Sequence, residues 1–236
     1  MHKYIAPAWA HSIYDISGKL TEDLGPGPRQ LKMAWVINLH KFLTPFVVIF
    51  WILRFRNHSH AAYVYLALHG SYGVIWVLKH LAFRDRKWET RITWGGAITT
   101  FLLISRDPDG PGAPPSPAFL AACIGLFALG LALMIAADCQ KNTALKYRKE
   151  LITWGMFRHI RHPNYLGEMM IYAAFALLAR HWLPWVVLAY WWIMVFLVNM
   201  LVIESSLSRY PEWQAYHSRT GMLLPWRWRG KRRTSL

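Results

Sequence analysis

Cysteine is scarce in this sequence, which contains only Cys123 and Cys139 among its 236 residues. Two cysteines on one apolar segment predict neither a disulfide framework nor a zinc site, so we expect ordinary buried thiols and no metal. Residues 1–30 also lack the apolar run of a cleavable signal sequence, and they contain the breaker run GPGP at 25–28. We therefore expect a polar N-terminal arm at 1–33, with the first membrane span acting as the targeting signal.

Acidic residues are few: 12 Asp and Glu stand against 27 Lys and Arg, a net charge of +15. The basic residues flank apolar segments, a pattern typical of membrane topology and anionic-lipid contact, and it argues against a nucleic-acid partner. Cytoplasmic termini satisfy the positive-inside rule except at Arg54 and Arg56. The basic groups are Arg84, Arg86, Lys87 and Arg91; Lys141, Lys146, Arg148, Lys149, Arg158 and Arg161; and Arg227, Arg229, Lys231, Arg232 and Arg233.

Long apolar runs dominate the remainder of the chain. Three of them reach about the 20 residues that cross a bilayer, which a soluble core does not need. We predict an all-α, polytopic integral membrane bundle of about six helices, with one catalytic domain at 34–236, in a bacterial inner membrane or an endoplasmic reticulum. The expected spans are Ala34 to Leu53, Ala61 to Phe83, Pro117 to Ala137, Glu168 to Ala179, Pro184 to Ile203, and the shorter run Thr93 to Ser105.

Polar residues interrupt the second expected span. On a helix, His69, Tyr72, Trp76 and Lys79 share one face. Lys79 lies at the helix end, where snorkelling explains it. His69 and Tyr72 lie deeper, where they form either a hydrogen bond between helices or a proton-donating pair that faces a pocket.

The stretch RHPNYLGE precedes a further apolar run. Pro163 predicts a helix start, which puts Asn164, Tyr165 and Glu168 in its first turns, with Asn164 and Glu168 on one face. Such a helix N-terminus attracts anions, and basic residues stand directly before it. The stretch therefore predicts a phosphate site at a membrane mouth, with helix capping or headgroup contact as the alternative for single residues. The basic residues are Arg158, His159, Arg161 and His162.

These motifs carry a resemblance to a known group of enzymes. The stretch GMFRHIRHPNYLGE resembles the signature of membrane reductases that include the steroid 5-alpha-reductases and sterol C14-reductases, and Asp138-x-Gln140-Lys141 looks like their companion motif. The later pattern of Glu204, Leu207, Pro211, Glu212 and Tyr216 is shared with isoprenylcysteine carboxyl methyltransferases and phospholipid N-methyltransferases. The resemblance covers residues 120–228, and Asn164, Glu168 and the Asp-x-Gln-Lys motif favour the reductases.

The resemblance implies NADPH-dependent reduction of a carbon–carbon double bond in a lipophilic, steroid-like or isoprenoid substrate. Arg and Lys suit the phosphates of NADPH, while a carboxylate suits ribose hydroxyls or the carboxamide. The steroid 5-alpha-reductase Gln-Glu pair has no equivalent in the first two spans, where Asn38, His40 and Lys41 stand instead. Carried over by position, the cofactor residues are Asp138, Arg161, Asn164, Tyr165, Glu168, Arg209, Tyr216 and Arg219.

Three functions follow as hypotheses. As a reductase, the chain binds NADPH, and Tyr72 delivers a proton while His69 hydrogen-bonds or replenishes it. As a methyltransferase, it binds S-adenosylmethionine and methylates a lipid or a prenylcysteine carboxylate. As a non-enzymatic protein, it binds lipid. The charge of the cofactor distinguishes the reductase from the methyltransferase. NADPH needs many cationic side chains, whereas S-adenosylmethionine, a sulfonium zwitterion, does not. Oligomeric state and substrate identity stay open.

Overall fold

The computed structural model describes residues 6–23, 28–82, 91–93 and 114–225. These ranges are mostly helical, as predicted, and we number the helices in chain order. A two-residue strand pair, β1 at Leu31–Lys32 and β2 at Arg91–Ile92, joins two connections in antiparallel register. The helices are α1 (Ala8–Glu22), α2 (Met33–Phe55), α3 (His60–Ala82), α4 (Pro117–Tyr147), α5 (Pro163–Ala179), α6 (Trp182–Leu207) and α7 (Trp213–Arg219).

Four of these helices, α2, α3, α4 and α6, are long and apolar enough to cross a membrane. The all-α membrane bundle is therefore confirmed. Helix α5 has 17 residues, so it extends about 25 Å and falls slightly short of the hydrocarbon thickness. It begins at Pro163 as predicted, five residues before the expected start of the span. The expected span from Thr93 to Ser105 lies outside the described residues except for Thr93.

Small residues let the central helices approach closely. Helices α4 and α5 pack against each other more extensively than any other described pair, and they cross at Gly130 and Gly167. A Cβ atom on Gly167 would lie 2.5 Å from the Gly130 carbonyl oxygen, so neither glycine tolerates a side chain without separating the helices. Glycine at such a crossing is typical of helix packing in membranes. This contact fixes α5, which carries Asn164 and Glu168, against α4.

The two ends of the bundle differ in composition. The motif end carries the last turns of α3, α4 and α6, the start of α5, and helix α7. The distal end joins α2 to α3 and α5 to α6, and residues of both connections share one small cavity with Pro114 and Pro115. Arg180 lies in that cavity, so a third arginine joins Arg54 and Arg56 as an exception to the expected charge distribution. The motif end still holds most of the described basic residues.

The N-terminal arm contains a helix that the sequence analysis did not predict. Helix α1 packs against the second half of α6, at the motif end. The backbone N–H of Thr93 donates a hydrogen bond of 2.8 Å to the Glu22 carbonyl, which ties α1 to the β1–β2 connection. The arm is therefore part of the bundle in the described residues.

Candidate functional site

The RHPNY stretch contacts the C-terminal tail, residues 208–225, at the motif end. We call this contact the joint. The Arg161 guanidinium donates to the Glu204 carboxylate at 2.6 Å and to the Thr220 carbonyl at 2.5 Å. The backbone N–H groups of Arg161 and His162 donate to the carbonyls of Gly221 and Met222. Arg161 and Glu204 are 8% and 1% exposed, so the ion pair is shielded from water.

Two histidines complete the surroundings of Glu204. The Nε2 atoms of His162 and His217 lie 3.3 and 3.7 Å from its carboxylate oxygens. Burial lowers the pKa of the His162 imidazole, and the Glu204 carboxylate opposes that shift. The His162 Nε2 atom lies within ion-pair distance of the Glu204 carboxylate and makes no hydrogen bond in the described residues. Glu204 therefore holds the joint mainly through Arg161.

Tyr216 belongs to the same joint. Its hydroxyl donates a 2.7 Å hydrogen bond to the Phe157 carbonyl, and burial raises the pKa of Tyr216 to about 12. Tyr216 and Arg161 were both predicted to bind cofactor. The structure gives each a partner within the protein, so they shape the motif end whether or not they also contact a ligand.

The Asp-x-Gln-Lys motif on α4 is physically joined to the GMF stretch. The Gln140 carboxamide donates to the Trp154 carbonyl at 2.7 Å and accepts from the Met156 N–H at 2.8 Å. Gly155 has a φ of +60°, and a Cβ atom there would lie 2.5 Å from the Gln140 carboxamide. Only glycine meets both requirements without strain. The two motifs that carry the resemblance are thus one structural unit.

Asp138, the acidic member of that motif, pairs with α3. Its carboxylate accepts a hydrogen bond of 2.5 Å from the Lys79 ammonium, and both side chains are largely buried. The Lys79 ammonium also lies 4.8 Å from the centre of the Trp76 ring. Lys79 is therefore more than a snorkelling cation, because it links α3 to α4 beside the predicted cofactor residues.

Asn164 and Glu168 are the predicted cofactor residues whose side chains have no bonding partner in the described residues. They lie one turn apart on α5, partly exposed. Within the described ranges neither side chain makes a hydrogen bond or an ion pair. Glu168 nevertheless lies in the electrostatic field of Lys79, Lys41 and Lys141, and of the Asp138 carboxylate. A carboxylate in this setting is available to a ligand.

The remaining predicted cofactor residues are Tyr165, Arg209 and Arg219, at the same end of the bundle as Asn164 and Glu168. Tyr165 packs its ring against His162 and Phe196. Arg209 and Arg219 are exposed on the tail, where Arg209 donates to the Ser206 hydroxyl at 3.1 Å. Their guanidinium groups therefore face solvent at the motif end.

Tyr72 is fully buried between α3 and its neighbours, at 0% exposure. Its hydroxyl lies 3.4 Å from the Tyr172 hydroxyl on α5. The Lys41 ammonium, from α2, lies 4.4 Å from the centre of the Tyr72 ring. Three helices thus bring a phenol, a second phenol and a cation together inside the bundle.

His69 does not make the hydrogen bond to Tyr72 that the sequence analysis proposed. Its ring stacks on Phe175, with ring centres 3.9 Å apart, and also lies against Tyr65. The Nδ1 atom is buried without a hydrogen-bond partner in the described structure. This part of the prediction is corrected: the Tyr72 hydroxyl meets Tyr172, because the His69 ring is turned toward the aromatic face of α5.

Sequence reasoning missed Tyr172, and it named Glu204 only as part of a shared pattern. A signal for Tyr172 was present, since it follows Asn164 and Glu168 at the same four-residue interval. No comparable signal pointed to the pairing of Glu204 with Arg161, because the two residues are far apart in the chain.

Comparison with known proteins gives a family. Residues 37–220 match the family described as "Protein of unknown function (DUF1295)", and the chain belongs to that family. It is also similar to a Schizosaccharomyces pombe protein named "Uncharacterized protein C7D4.09c", with 37% identity over 87 residues. That similarity covers 35% of this chain and 29% of the yeast protein. No solved structure matches the chain.

Proposed function

We propose that this chain is an integral membrane reductase that uses NADPH to reduce a carbon–carbon double bond in a lipophilic, steroid-like or isoprenoid substrate. We also propose that it belongs to the steroid 5-alpha-reductase-like superfamily, on the evidence of the RHPNYLGE and Asp-x-Gln-Lys motifs. The observation that carries the proposal is the pair Asn164 and Glu168. Polar groups at the mouth of a membrane helix are costly and are typically functional, and these two have no partner in the described chain.

The residues at the motif end fit NADPH chemically. The Glu168 carboxylate and Asn164 carboxamide would hold ribose hydroxyls or the nicotinamide carboxamide. The phosphates would be held by cations at the same end, including Lys141, Arg209 and Arg219. Arg161 and Tyr216 would act mainly by holding the tail against the RHPNY stretch. When bound, NADPH supplies a hydride.

A residue of the protein itself must donate the proton for this reaction. Reduction of a double bond adds one hydride and one proton, and the second carbon needs a donor shielded from water. The buried Tyr72 hydroxyl is such a donor, and transfer of its proton would leave a phenolate. Phe127 and Phe175 pack around the Tyr72 ring, an apolar environment suited to a substrate that enters from lipid.

The methyltransferase alternative requires a different electrostatic environment, because S-adenosylmethionine carries a positively charged sulfonium and no phosphates. Lys41, Lys79 and Lys141 act on Glu168, and the Asp138 carboxylate offsets Lys79. The remaining cations, together with Arg209 and Arg219 at the same end, favour a polyanionic ligand over a sulfonium. The reductase proposal therefore takes precedence, and S-adenosylmethionine serves as the comparison ligand in its test.

Glu168→Ala should weaken NADPH binding by about 1.5–3 kcal/mol, because it removes a carboxylate that accepts directed hydrogen bonds. That is a loss of about 10- to 150-fold in affinity, measurable by calorimetry on detergent-solubilised protein. Glu150→Ala is the matched control, since Glu150 is exposed beyond the end of α4. Equal affinity in wild type and a folded Glu168→Ala protein would exclude Glu168 from the site.

We further propose that the motif end and both termini face the cytoplasm, because most of the described basic residues lie there. The background lacks Cys123 and Cys139. In intact cells, cysteine introduced by His60→Cys at the distal end should react with an impermeant maleimide added to the outside. Cysteine introduced by Arg148→Cys should react only after permeabilisation. The opposite pattern would reverse the orientation.

A further inference from the structure

Lys41 is an unusual charge for its position. It lies about 12 Å along α2 from Met33, and it is 5% exposed. Its ammonium lies 4.4, 5.6 and 5.8 Å from the ring centres of Tyr72, Trp76 and Tyr172. No hydrogen bond or ion pair joins it to another described residue. A cation inside a membrane bundle typically marks a functional position, and aromatic faces only partly compensate for its desolvation.

Backbone packing fixes Lys41 beside Tyr72. Helices α2 and α3 approach closely at Gly73, where a Cβ atom would lie 2.7 Å from the Lys41 carbonyl oxygen. Gly73 directly follows Tyr72, so the close approach sets the spacing between the lysine and the phenol. Helix packing therefore fixes the backbone spacing, and the Lys41 side chain places its ammonium over the Tyr72 ring.

Helix α5 supplies a polar stripe that reaches this pair. Asn164, Glu168 and Tyr172 follow one another at four-residue intervals, which places them on one face, from the motif end into the bundle. At the inner end, the Tyr172 hydroxyl lies 3.4 Å from the Tyr72 hydroxyl. The stripe therefore extends along α5 from the partly exposed Asn164 and Glu168 to the buried phenol.

We propose that Lys41 and Tyr172 are positioning residues for proton delivery by Tyr72, an inference that rests on the proposed reductase function. The Tyr72 O–H bond breaks as its proton goes to the substrate, and the Lys41 ammonium stabilises the phenolate that remains. The Tyr172 hydroxyl then gives its proton to the Tyr72 oxygen. Tyr172 recovers a proton from the Glu168 side, where exchange with water is possible. One proton enters for each proton delivered.

Other charged or titratable groups face this cluster from each packed helix, and they define its electrostatic surroundings. They are His40 from α2, His69 and Lys79 from α3, Asp138 and Lys141 from α4, and Glu168 from α5.

The test combines a spectroscopic measurement on the ligand-free protein with single-turnover rates. The ring-carbon resonance of Tyr72, among the 11 tyrosines, is assigned in isotope-labelled protein by its loss in Tyr72→Phe. At neutral pH this resonance should shift in Lys41→Met and in Tyr172→Phe, because the cation over the ring or the hydroxyl contact is lost. Lys41→Met should also slow the single turnover of the NADPH-bound protein with a lipid-soluble alkene by about tenfold or more, because an opposite charge beside the ring favours the phenolate that proton delivery leaves. Tyr172→Phe should slow later turnovers several-fold more than the first, because the Tyr72 oxygen loses the hydroxyl that returns its proton.

Two controls separate this role from general packing. Lys41→Arg keeps the charge and should retain most of the single-turnover rate. Lys146→Met removes the cation of an exposed lysine–tyrosine pair with Tyr147 and should leave the Tyr72 resonance unchanged. A single-turnover rate equal to wild type in folded Lys41→Met or Lys41→Gln would overturn the proposal, as would a Tyr72 resonance that neither Lys41→Met nor Tyr172→Phe shifts. Failure of NADPH binding would instead refute the proposed function, so the two failures are distinct.

Discussion

Tyr72→Phe should slow the chemical step by about 10²–10⁴-fold, the usual contribution of a general acid. The substitution keeps the ring, so its contacts with Trp76, Phe127 and Phe175 are retained. Only the hydroxyl and its 3.4 Å contact with Tyr172 are lost. Folding should therefore change by no more than the worth of one hydrogen bond, about 0.5–1.5 kcal/mol.

The rate is measured in single-turnover experiments that follow the loss of NADPH absorbance with lipid-soluble alkenes. NADPH binding should persist in the variant, because the proposed cofactor residues lie on α4, on α5 with the residues just before it, and on the tail. Reduction at the wild-type rate would make Tyr72 a structural residue. The proton donor would then be sought at His69, Lys79, His40 or Lys41.

Arg161→Met should destabilise the protein by about 3–5 kcal/mol, because it leaves the Glu204 carboxylate buried without its main cation. The substitution also leaves the Thr220 carbonyl without the Arg161 donor. Equilibrium denaturation in detergent measures the free energy of unfolding. Arg158→Met is the matched control, since Arg158 is exposed close to Arg161, and it should change that free energy by less than about 0.5 kcal/mol.

A double variant tests the cause of the loss. Arg161→Met combined with Glu204→Leu removes both charges, and an apolar pair at a buried site is often close to neutral. The double variant should therefore recover much of the stability lost in Arg161→Met. If Arg161→Met is as stable as the Arg158→Met control, the joint does not hold the tail in place.

The sequence predicted the features that depend on local pattern. Apolar run length located four spans, and Pro163 located the start of α5. Helical periodicity placed His69, Tyr72, Trp76 and Lys79 on one face, and in the structure these residues contact α4 and α5 or lie buried against them. Each of these predictions uses only neighbouring residues, which is why a single sequence supports them.

The features that the sequence did not predict depend on tertiary contacts. Tyr72 and Tyr172 are 100 positions apart, and periodicity identifies a face without identifying its partner. Arg161 was assigned to cofactor on its motif alone, and the structure shows that Glu204 and the tail already occupy most of its guanidinium. Helix α1 was missed because a half-polar surface helix resembles a polar arm when no packing partner is known.

The most direct test of the reductase proposal is the stability of the wild-type protein with each cofactor. A ligand at 100 times its dissociation constant stabilises the folded state by about 2.7 kcal/mol, which raises the unfolding temperature. We expect NADPH to raise the unfolding temperature in a concentration-dependent way, and S-adenosylmethionine to leave it unchanged. Stabilisation by S-adenosylmethionine and not by NADPH would contradict the proposal and favour the methyltransferase.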